Sequence, residues 1–444
     1  MLPASLKYAG ETHAILGMGA SGMAAARLSR HLGAKVILLD DGNPMRPLGA
    51  SGDPMWEGME CVTGKDALKC DTRFDLAILS PGIDPSWPLA QHVLGKGVRG
   101  VSEIEFAYQQ TELDVIAITG TNGKTTTTGL IAHLLMACGK RTVPCGNYGR
   151  ALADVVLAGE PLDVLTVEVS SFQLELIERF SPKVAVWMNF APDHLDRHPS
   201  LEAYRAAKLR IFERQTASDT AVINGAEAYP TLAAQPVRFS AWAEDGEWTF
   251  KDGAICYHQQ PVVMLAETKL RGRHNAENIM AALAAVVAYG LPLEQAAAQV
   301  ASFIPPRHRC EVVATINGRE FLNDSKATNI HAMESALRGQ ERAVVLIAGG
   351  KNKGLDYAPV WPLIREKTTD VFVIGEIRAA LAETWPGAVP CADLATAVRH
   401  AHAAAVPGQA VLFAPGTSSF DMFTGYENRG DVFCQLVHQL ETMP

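Results

Sequence analysis

Between residues 115 and 138 the chain reads VIAITGTNGKTTTTGLIAHLLMAC, and this stretch limits the possible folds more than any other. An apolar run, a glycine turn carrying a lysine, and an apolar-periodic helix follow one another directly. Val115, Ile116, Ala117 and Ile118 suit a strand buried in a parallel sheet. Gly120 and Gly123 let the backbone turn its amides inward around an anion. Lys124 supplies a point charge for β- and γ-phosphates, and Thr125 opens the helix with a hydroxyl placed to hold Mg²⁺. The spacing departs from the common phosphate loop, because the position five before Gly123 is Ile118 instead of glycine. A bare Gly-Lys pair is an ordinary surface turn; strand, turn, lysine, hydroxyls and helix in that order point to ATP or GTP. The candidate nucleotide contacts are Gly120, Thr121, Asn122, Gly123, Lys124, Thr125 and Thr126.

A chain of 444 residues exceeds one ordinary core, and ~150 residues per domain predicts about three domains. The net charge of −9 advertises no basic face, so nucleic acid is not an expected partner. Eight cysteines lie scattered, without a C-x-x-C pair or zinc spacing, as in a reduced cytosolic protein. No apolar run reaches ~18 residues and the first residues lack an export pattern, so neither membrane nor secretion is expected.

From Thr12 to about Ser102, short apolar runs alternate with helical stretches, the pattern of a parallel α/β unit. Its first turn, Gly17-Met18-Gly19-Ala20-Ser21-Gly22, is a G-x-G-x-x-G after a strand, with Asp40 ending the next strand. Alone, this fingerprint points to NAD or FAD, although a glycine turn at a helix N-terminus binds any phosphate. Between Asp40 and Ala67 a Gly/Pro/Met-rich stretch reads as an irregular surface loop.

A second domain is expected from 103 to 305. Glu168 stands in the apolar VLTVEVS, where a buried carboxylate needs a partner or a metal. Asp193 and His194 follow VAVWMNF at a strand end, the side on which open α/β sheets bind ligands. In a helix predicted over 201 to 214, Leu201, Tyr204, Lys208 and Ile211 share the apolar face. Lysine in such a stripe ordinarily snorkels to water. A desolvated lysine, by contrast, loses its proton readily and can react with CO₂. Residues 220 to 260 predict a small antiparallel sheet; Asn275 and Asn278 open an apolar helix, with an Asn cap as the simpler explanation. Pro305-Pro306 marks a linker, and beyond it four apolar strands predict a second Rossmann-like sheet. That sheet carries no G-x-G-x-x-G, so its strand ends suit a carboxylate or amino-acid site.

TGTNGKTT resembles the nucleotide loop of the Mur ligase family. The resemblance extends in order through SSFQLE, Asp193-His194-Leu195-Asp196, RAAKLRIFE, NDSKATN and SFDMF, essentially along the whole chain. It implies an α/β protein of three domains. These are an N-terminal Rossmann-like domain for the UDP substrate (1–102), a P-loop-type ATPase domain with a parallel sheet plus a small antiparallel one (103–305), and a C-terminal Rossmann-like domain for the amino acid (306–444). It further implies that ATP activates UDP-N-acetylmuramoyl-L-alanine as an acyl phosphate, which D-glutamate then attacks, in cytoplasmic peptidoglycan precursor synthesis. By the same resemblance Ala20, Ser21, Gly22, Asp40, Asp41, Gly82, Asn147 and Ser170 would line the UDP-substrate site. Asn275, Asn278, Arg309, Asp324 and Lys326 would join the loop around ATP, while Thr328, Lys353, Ser419 and Tyr426 would hold the amino acid. The family often has phenylalanine where Tyr426 stands. Lys124, Glu168, His194 and Lys208 would be catalytic; Thr125, Glu168, His194 and a carbamate of Lys208 would bind two Mg²⁺. A monomer is expected. The alternatives that remain open here are another Mur-type or a folylpolyglutamate-synthase-like amino-acid ligase, an NAD-dependent oxidoreductase that leaves the lysine loop idle, and a non-catalytic nucleotide-binding regulator.

Overall fold

The computed structural model describes residues 6–42, 59–194, 197–243, 246–305, 307–340 and 342–441. Three sheets succeed one another along the chain. The first holds five strands in the order Glu60–Thr63, Lys35–Asp40, Thr12–Leu16, Leu76–Leu79, Arg99–Ser102, all parallel. Helix Ala20–His31 follows the glycine turn, as the alternation of apolar runs implied. Most of the stretch expected to loop between Asp40 and Ala67 lies outside the described residues, as do Leu195, Asp196 and Pro306.

The second sheet has nine strands and carries the phosphate loop on an interior strand: Asp114–Thr119 lies between Val164–Glu168 and Val184–Trp187, parallel to both. The small antiparallel sheet expected over 220 to 260 is not separate. Thr220–Asn224 and Gln235–Ser240 extend the parallel array, and only Trp248–Lys251, Ala254–Tyr257 and Gln260–Met264 pair antiparallel at its edge. Longer connections keep Thr220–Asn224, Gln235–Ser240 and Trp248–Lys251 in one direction, whereas two-residue turns at 252–253 and 258–259 reverse the last two strands in succession. The helix expected over 201 to 214 is α-helical over Leu201–Leu209 and tightens into a 3-10 turn at Arg210–Phe212, where the Arg210 guanidinium donates to the carbonyls of Leu174, Glu175 and Ile177.

The third sheet has six strands, including an antiparallel edge strand Glu311–Ile316 that the apolar pattern did not announce. Its core is its own. Leu346, Ile364 and Trp385 cluster on one face, Phe321, Phe413 and Phe433 on the other. The first two domains, in contrast, share one apolar cluster, in which Ile15, Leu28 and Phe106 are continuous with Val115, Leu152 and Trp187.

Candidate active site

The phosphate loop has the geometry its glycines allow. Gly120 and Gly123 sit at φ +143° and +83°, and a Cβ on Gly123 would lie 2.4 Å from Asn278 Oδ1. The tail of the neighbouring strand pins the loop: Thr121 donates its amide to the Asn189 carbonyl at 2.9 Å, and Asn122 its amide to Asn189 Oδ1 at 2.9 Å. Lys124 Nζ folds back to the carbonyls of Gly120 and Thr121, each at 2.9 Å. Burial lowers its pKa, while Glu168 and Asp193 pull it the other way.

A second lysine meets the same carbonyl. Lys208 is 2 % exposed, donates to Gly120 O at 2.8 Å and lies 4.7 Å from the Tyr204 ring centroid. It therefore does not snorkel. Burial, reinforced by Lys124, holds its pKa well below the ordinary lysine value, so an uncharged, nucleophilic amine is accessible.

Glu168 ends its strand inside the same space. Its Oε1 accepts from Asn147 Nδ2 at 2.6 Å, whereas Oε2 is buried with no hydrogen-bond partner. A carboxylate oxygen in that state is costly unless a cation satisfies it. His194, at φ +56°, turns its ring edge towards Phe172, and burial lowers its pKa, leaving the neutral imidazole that metals bind. Thr125 and Lys208 line the same cavity, and the free carboxylate oxygen, the imidazole and the hydroxyl are donor types that a divalent cation accepts. The grouping of His, Cys, Asp and Glu that does stand at ligating distances among the described residues, His308, Glu311 and Cys434, is differently made. There the Asn323 amide nitrogen stands 2.9 Å from His308 Nδ1 and 3.2 Å from Cys434 Sγ, in the space an ion would need.

One cavity of about 690 Å³ joins these groups. Thr121 to Thr126, Asn147, Glu168, Ser170, His194, Lys208, Asn275 and Asn278 line it from the central domain; Arg309, Asp324, Lys326, Thr328 and Lys353 line it from the C-terminal one. Asn275 does not cap its helix, which begins at Arg273 after Gly272. Its Oδ1 instead accepts from Asn278 Nδ2 at 2.8 Å. Burial raises the Asp324 pKa to about 6 and lowers that of Lys326 to about 8. Ser419 and Tyr426 stand outside the cavity wall: Ser419 is buried, with its carbonyl accepting from the amides of Met422 and Phe423, and Tyr426 backs Lys326 with its ring centroid 3.8 Å from Nζ.

The remaining candidates gather at the rim of the first sheet. A Cβ on Gly22 would lie 1.9 Å from the Gly17 carbonyl, and Ser80 Oγ donates to that carbonyl at 2.9 Å. Asp40 accepts the Met18 amide at 3.0 Å and so fixes the turn; Ala20, Asp41 and Gly82 face solvent around it, and Ser21 is half-buried. Arg197 ties this rim to the cavity, pairing with Asp84 at 2.6 Å and Glu175 at 2.9 Å.

Two contributors, Asn329 and His331, carried no signal strong enough to single out in the sequence. Asn329 donates to Asp193 Oδ2 at 2.9 Å, and Lys353 lies 3.4 Å from Oδ1, so Asp193 is held from the C-terminal domain. Burial works against its ionisation, but His194, Lys353 and Asn329 outweigh it and keep the carboxyl below its ordinary pKa. His331 meets Asn122 of the loop at 2.7 Å. Asn329 stood within NDSKATN, but nothing in that string tells which domain its amide will face.

Comparison with known proteins places the chain in a family. Residues 118–286 match the Mur ligase middle domain, and residues 308–417 the Mur ligase glutamate ligase domain. The chain is 39% identical to a UDP-N-acetylmuramoylalanine--D-glutamate ligase of Desulfitobacterium hafniense, covering 96% of this chain and 97% of that protein. It is 38% identical to the ligase of the same name from Geobacillus kaustophilus, again over 96% and 97%. Among solved structures it resembles in fold the UDP-N-acetylmuramate-alanine ligase of Thermotoga maritima, with TM-score 0.60, 18% identity, and 97% and 99% of the two chains covered. A folylpolyglutamate synthase of Mycobacterium tuberculosis complexed with ADP matches at TM-score 0.58 and 17% identity, over 75% of this chain and 92% of that one. Two matched domains and relatives above a third identical along nearly their whole length leave one assignment, and the chain belongs to the Mur ligase family.

Proposed function

We propose that this protein is an ATP-dependent ligase that joins D-glutamate to UDP-N-acetylmuramoyl-L-alanine in peptidoglycan precursor synthesis. The observation that carries the reaction type is the single cavity running from the Lys124 loop, past the unpartnered Glu168 oxygen, to Thr328 and Lys353. The amino acid and the UDP substrate come from the names of the full-length relatives. An oxidoreductase would leave that cavity without use, and the glycine turn of the first sheet serves a nucleotide diphosphate equally well.

A free carboxylate is a poor acyl donor, so ATP must activate it. Lys124 leaves the Gly120 carbonyl for the γ-phosphate, and the loop amides orient the phosphates. The alanyl carboxylate oxygen attacks the γ-phosphorus and ADP departs. The amine of D-glutamate then adds to the acyl carbon and inorganic phosphate leaves. Thr328 and Lys353 hold the D-glutamate carboxylates, with Ser419 and Tyr426 supporting that region from behind. Arg309, Asp324 and Lys326 close on ATP from the C-terminal side. Thr125, Glu168, His194 and Lys208 as a carbamate would hold two Mg²⁺, which would neutralise phosphate charge and polarise the reacting carboxylate. For the carbamate, the uncharged Lys208 amine bonds to the carbon of CO₂ and releases a proton. Ala20, Ser21, Gly22, Asp40, Asp41 and Gly82 take the UDP portion, and Asn147 and Ser170 the sugar-peptide end nearer the metals. The enzyme works as a cytoplasmic monomer, with neither nucleic acid nor membrane as partner; no described helix is long and apolar enough to cross a membrane.

Phosphate release from ATP and Mg²⁺ in the presence of UDP-N-acetylmuramoyl-L-alanine tests this reading. Release with D-glutamate, and not with L-glutamate, L-alanine, L-lysine or diaminopimelate, is the expected outcome. Release with another amino acid moves the substrate assignment; release with none removes the ligase reading.

A further inference from the structure

The cavity continues beyond the phosphate loop along the helix Arg273–Ala288, and its far end is built from side chains with no part in the reaction described above. Gly123 abuts Asn278, Asn278 bonds Asn275, and the helix then runs outward to His274 and Arg273. At ~1.5 Å per residue, Arg273 stands about 7.5 Å further along the axis than Asn278, comparable to the span from the terminal phosphates of a nucleotide to its base. There the Arg273 guanidinium lies 5.0 Å from the Trp242 ring centroid and donates to the Ala241 carbonyl at 2.9 Å, while Glu277 accepts the Ala241 amide at 3.3 Å. The backbone bearing Trp242 is thus tied to this helix from both sides. Trp242 itself lines the cavity and is 56% exposed, although large apolar side chains elsewhere in this domain are mostly buried. A second feature points to a ligand. His274 is also in the cavity wall, and its Nδ1 is buried with no hydrogen-bond partner.

We propose that Trp242, backed by Arg273, forms a stacking wall for the purine base of the nucleotide, with His274 Nδ1 offering the base a hydrogen bond. The indole supplies a π-face beside a fixed cation, and stacking on such a face is tolerant of which base it receives. Discrimination then falls to His274 and Asn275. This assignment rests on the ATP-ligase reading and adds to it a residue that touches the base and neither the phosphates nor the amino acid.

Steady-state kinetics on the full-length protein test it, using Trp242→Ala and Trp242→Phe with ATP varied and the other substrates saturating. Trp242→Ala is expected to raise KM for ATP about tenfold, as loss of one base-aromatic stack does, with kcat and KM for D-glutamate unchanged. Inhibition by Mg²⁺-tripolyphosphate, which has phosphates and no base, is expected to stay at the wild-type level, and Trp242→Phe to restore most of the ATP affinity. An unchanged KM for ATP in Trp242→Ala overturns the stacking role. So does an equal weakening of tripolyphosphate inhibition, which would mean damage to the phosphate loop. A wild-type protein that shows no binding of ATP by calorimetry overturns instead the nucleotide reading beneath it.

Discussion

Lys208 illustrates what a single residue can and cannot disclose in a sequence. Its place on an apolar helical stripe beside Tyr204 was legible from spacing alone, but its direction was not, because the Gly120 carbonyl that accepts from it belongs to the phosphate loop and is brought there by the tertiary fold. If the amine serves as a carbamate, Lys208→Ala should lower kcat on the order of a hundredfold or more, the scale of losing one preorganised electrostatic group. Binding of the UDP substrate, measured by calorimetry, should be retained, and a small carboxylate such as formate should restore part of the rate. Full activity in the variant would remove Lys208 from the mechanism. Glu103 presents a different buried group. Its Oε1 accepts the Ala153 amide, Oε2 has no partner, and burial raises the pKa from 4.5 to about 7. Between those values the native state binds more protons than the unfolded chain, so native stability falls as pH rises through this window. Above it the penalty is full, on the order of 3 kcal/mol, and below it the penalty vanishes. Glu103→Gln should therefore unfold at higher urea than wild type at pH 8 and at nearly the same urea at pH 4.5. A difference between the two that does not grow with pH would refute the assigned ionisation.

At the level of elements, strands buried on both faces were readable because they are continuous apolar runs; VIAI, VLTVE and VVLIAG all became central strands. Edge strands were not. Glu60–Thr63 is short and mostly exposed, and ECVT lacks that run; Glu311–Ile316, EVVATI, carries apolar residues, but nothing in them shows that the strand lies at the edge and pairs antiparallel. Strand direction in the 220 to 264 region was equally hidden, being decided by connection length. The glycine turns, in contrast, carry their geometry in the sequence. Gly22, in the first turn of the helix Ala20–His31, lies directly against the Gly17 carbonyl, and any Cβ there meets that oxygen at 1.9 Å and Ser80 Oγ at 2.6 Å. Gly22→Ala should push this helix from the first strand and cost about 1–3 kcal/mol in urea unfolding, the usual scale for overpacking. Affinity for the UDP substrate should fall with it while ATP binding to the separate central loop persists. Wild-type UDP-substrate affinity in a folded Gly22→Ala protein would place the UDP site elsewhere.

Over the whole molecule the two domain junctions differ in kind, and this difference predicts which one moves. The N-terminal and central domains share a continuous apolar cluster and are stitched by Arg27 to Asp154, Arg99 to Glu178, and Arg197 to Asp84. Separating them would expose apolar surface at ~25 cal/mol per Å². Among the described residues no such cluster spans the junction with the C-terminal domain. Its contacts on the loop side are polar: His331 with Asn122, Asn329 and Lys353 with Asp193, and Arg271 with Glu320. Each hydrogen bond is worth about 1 kcal/mol net, so this junction can open at modest cost and be closed by a ligand that both domains grip. ATP, on the function proposed above, would be such a ligand, because the Lys124 loop lines the cavity on one side and Arg309, Asp324 and Lys326 line it on the other. Small-angle scattering should accordingly show a smaller radius of gyration when a non-hydrolysable ATP analogue and the UDP substrate are added to the free protein. A double variant Asn329→Ala and His331→Ala should be more expanded when free, and should need more nucleotide to compact. Arg27→Ala, which loosens the apolar junction by one ion pair, should leave both radii as they are in wild type. Equal radii with and without ligands would show that the C-terminal domain does not close, and compaction abolished by Arg27→Ala would assign the motion to the other junction.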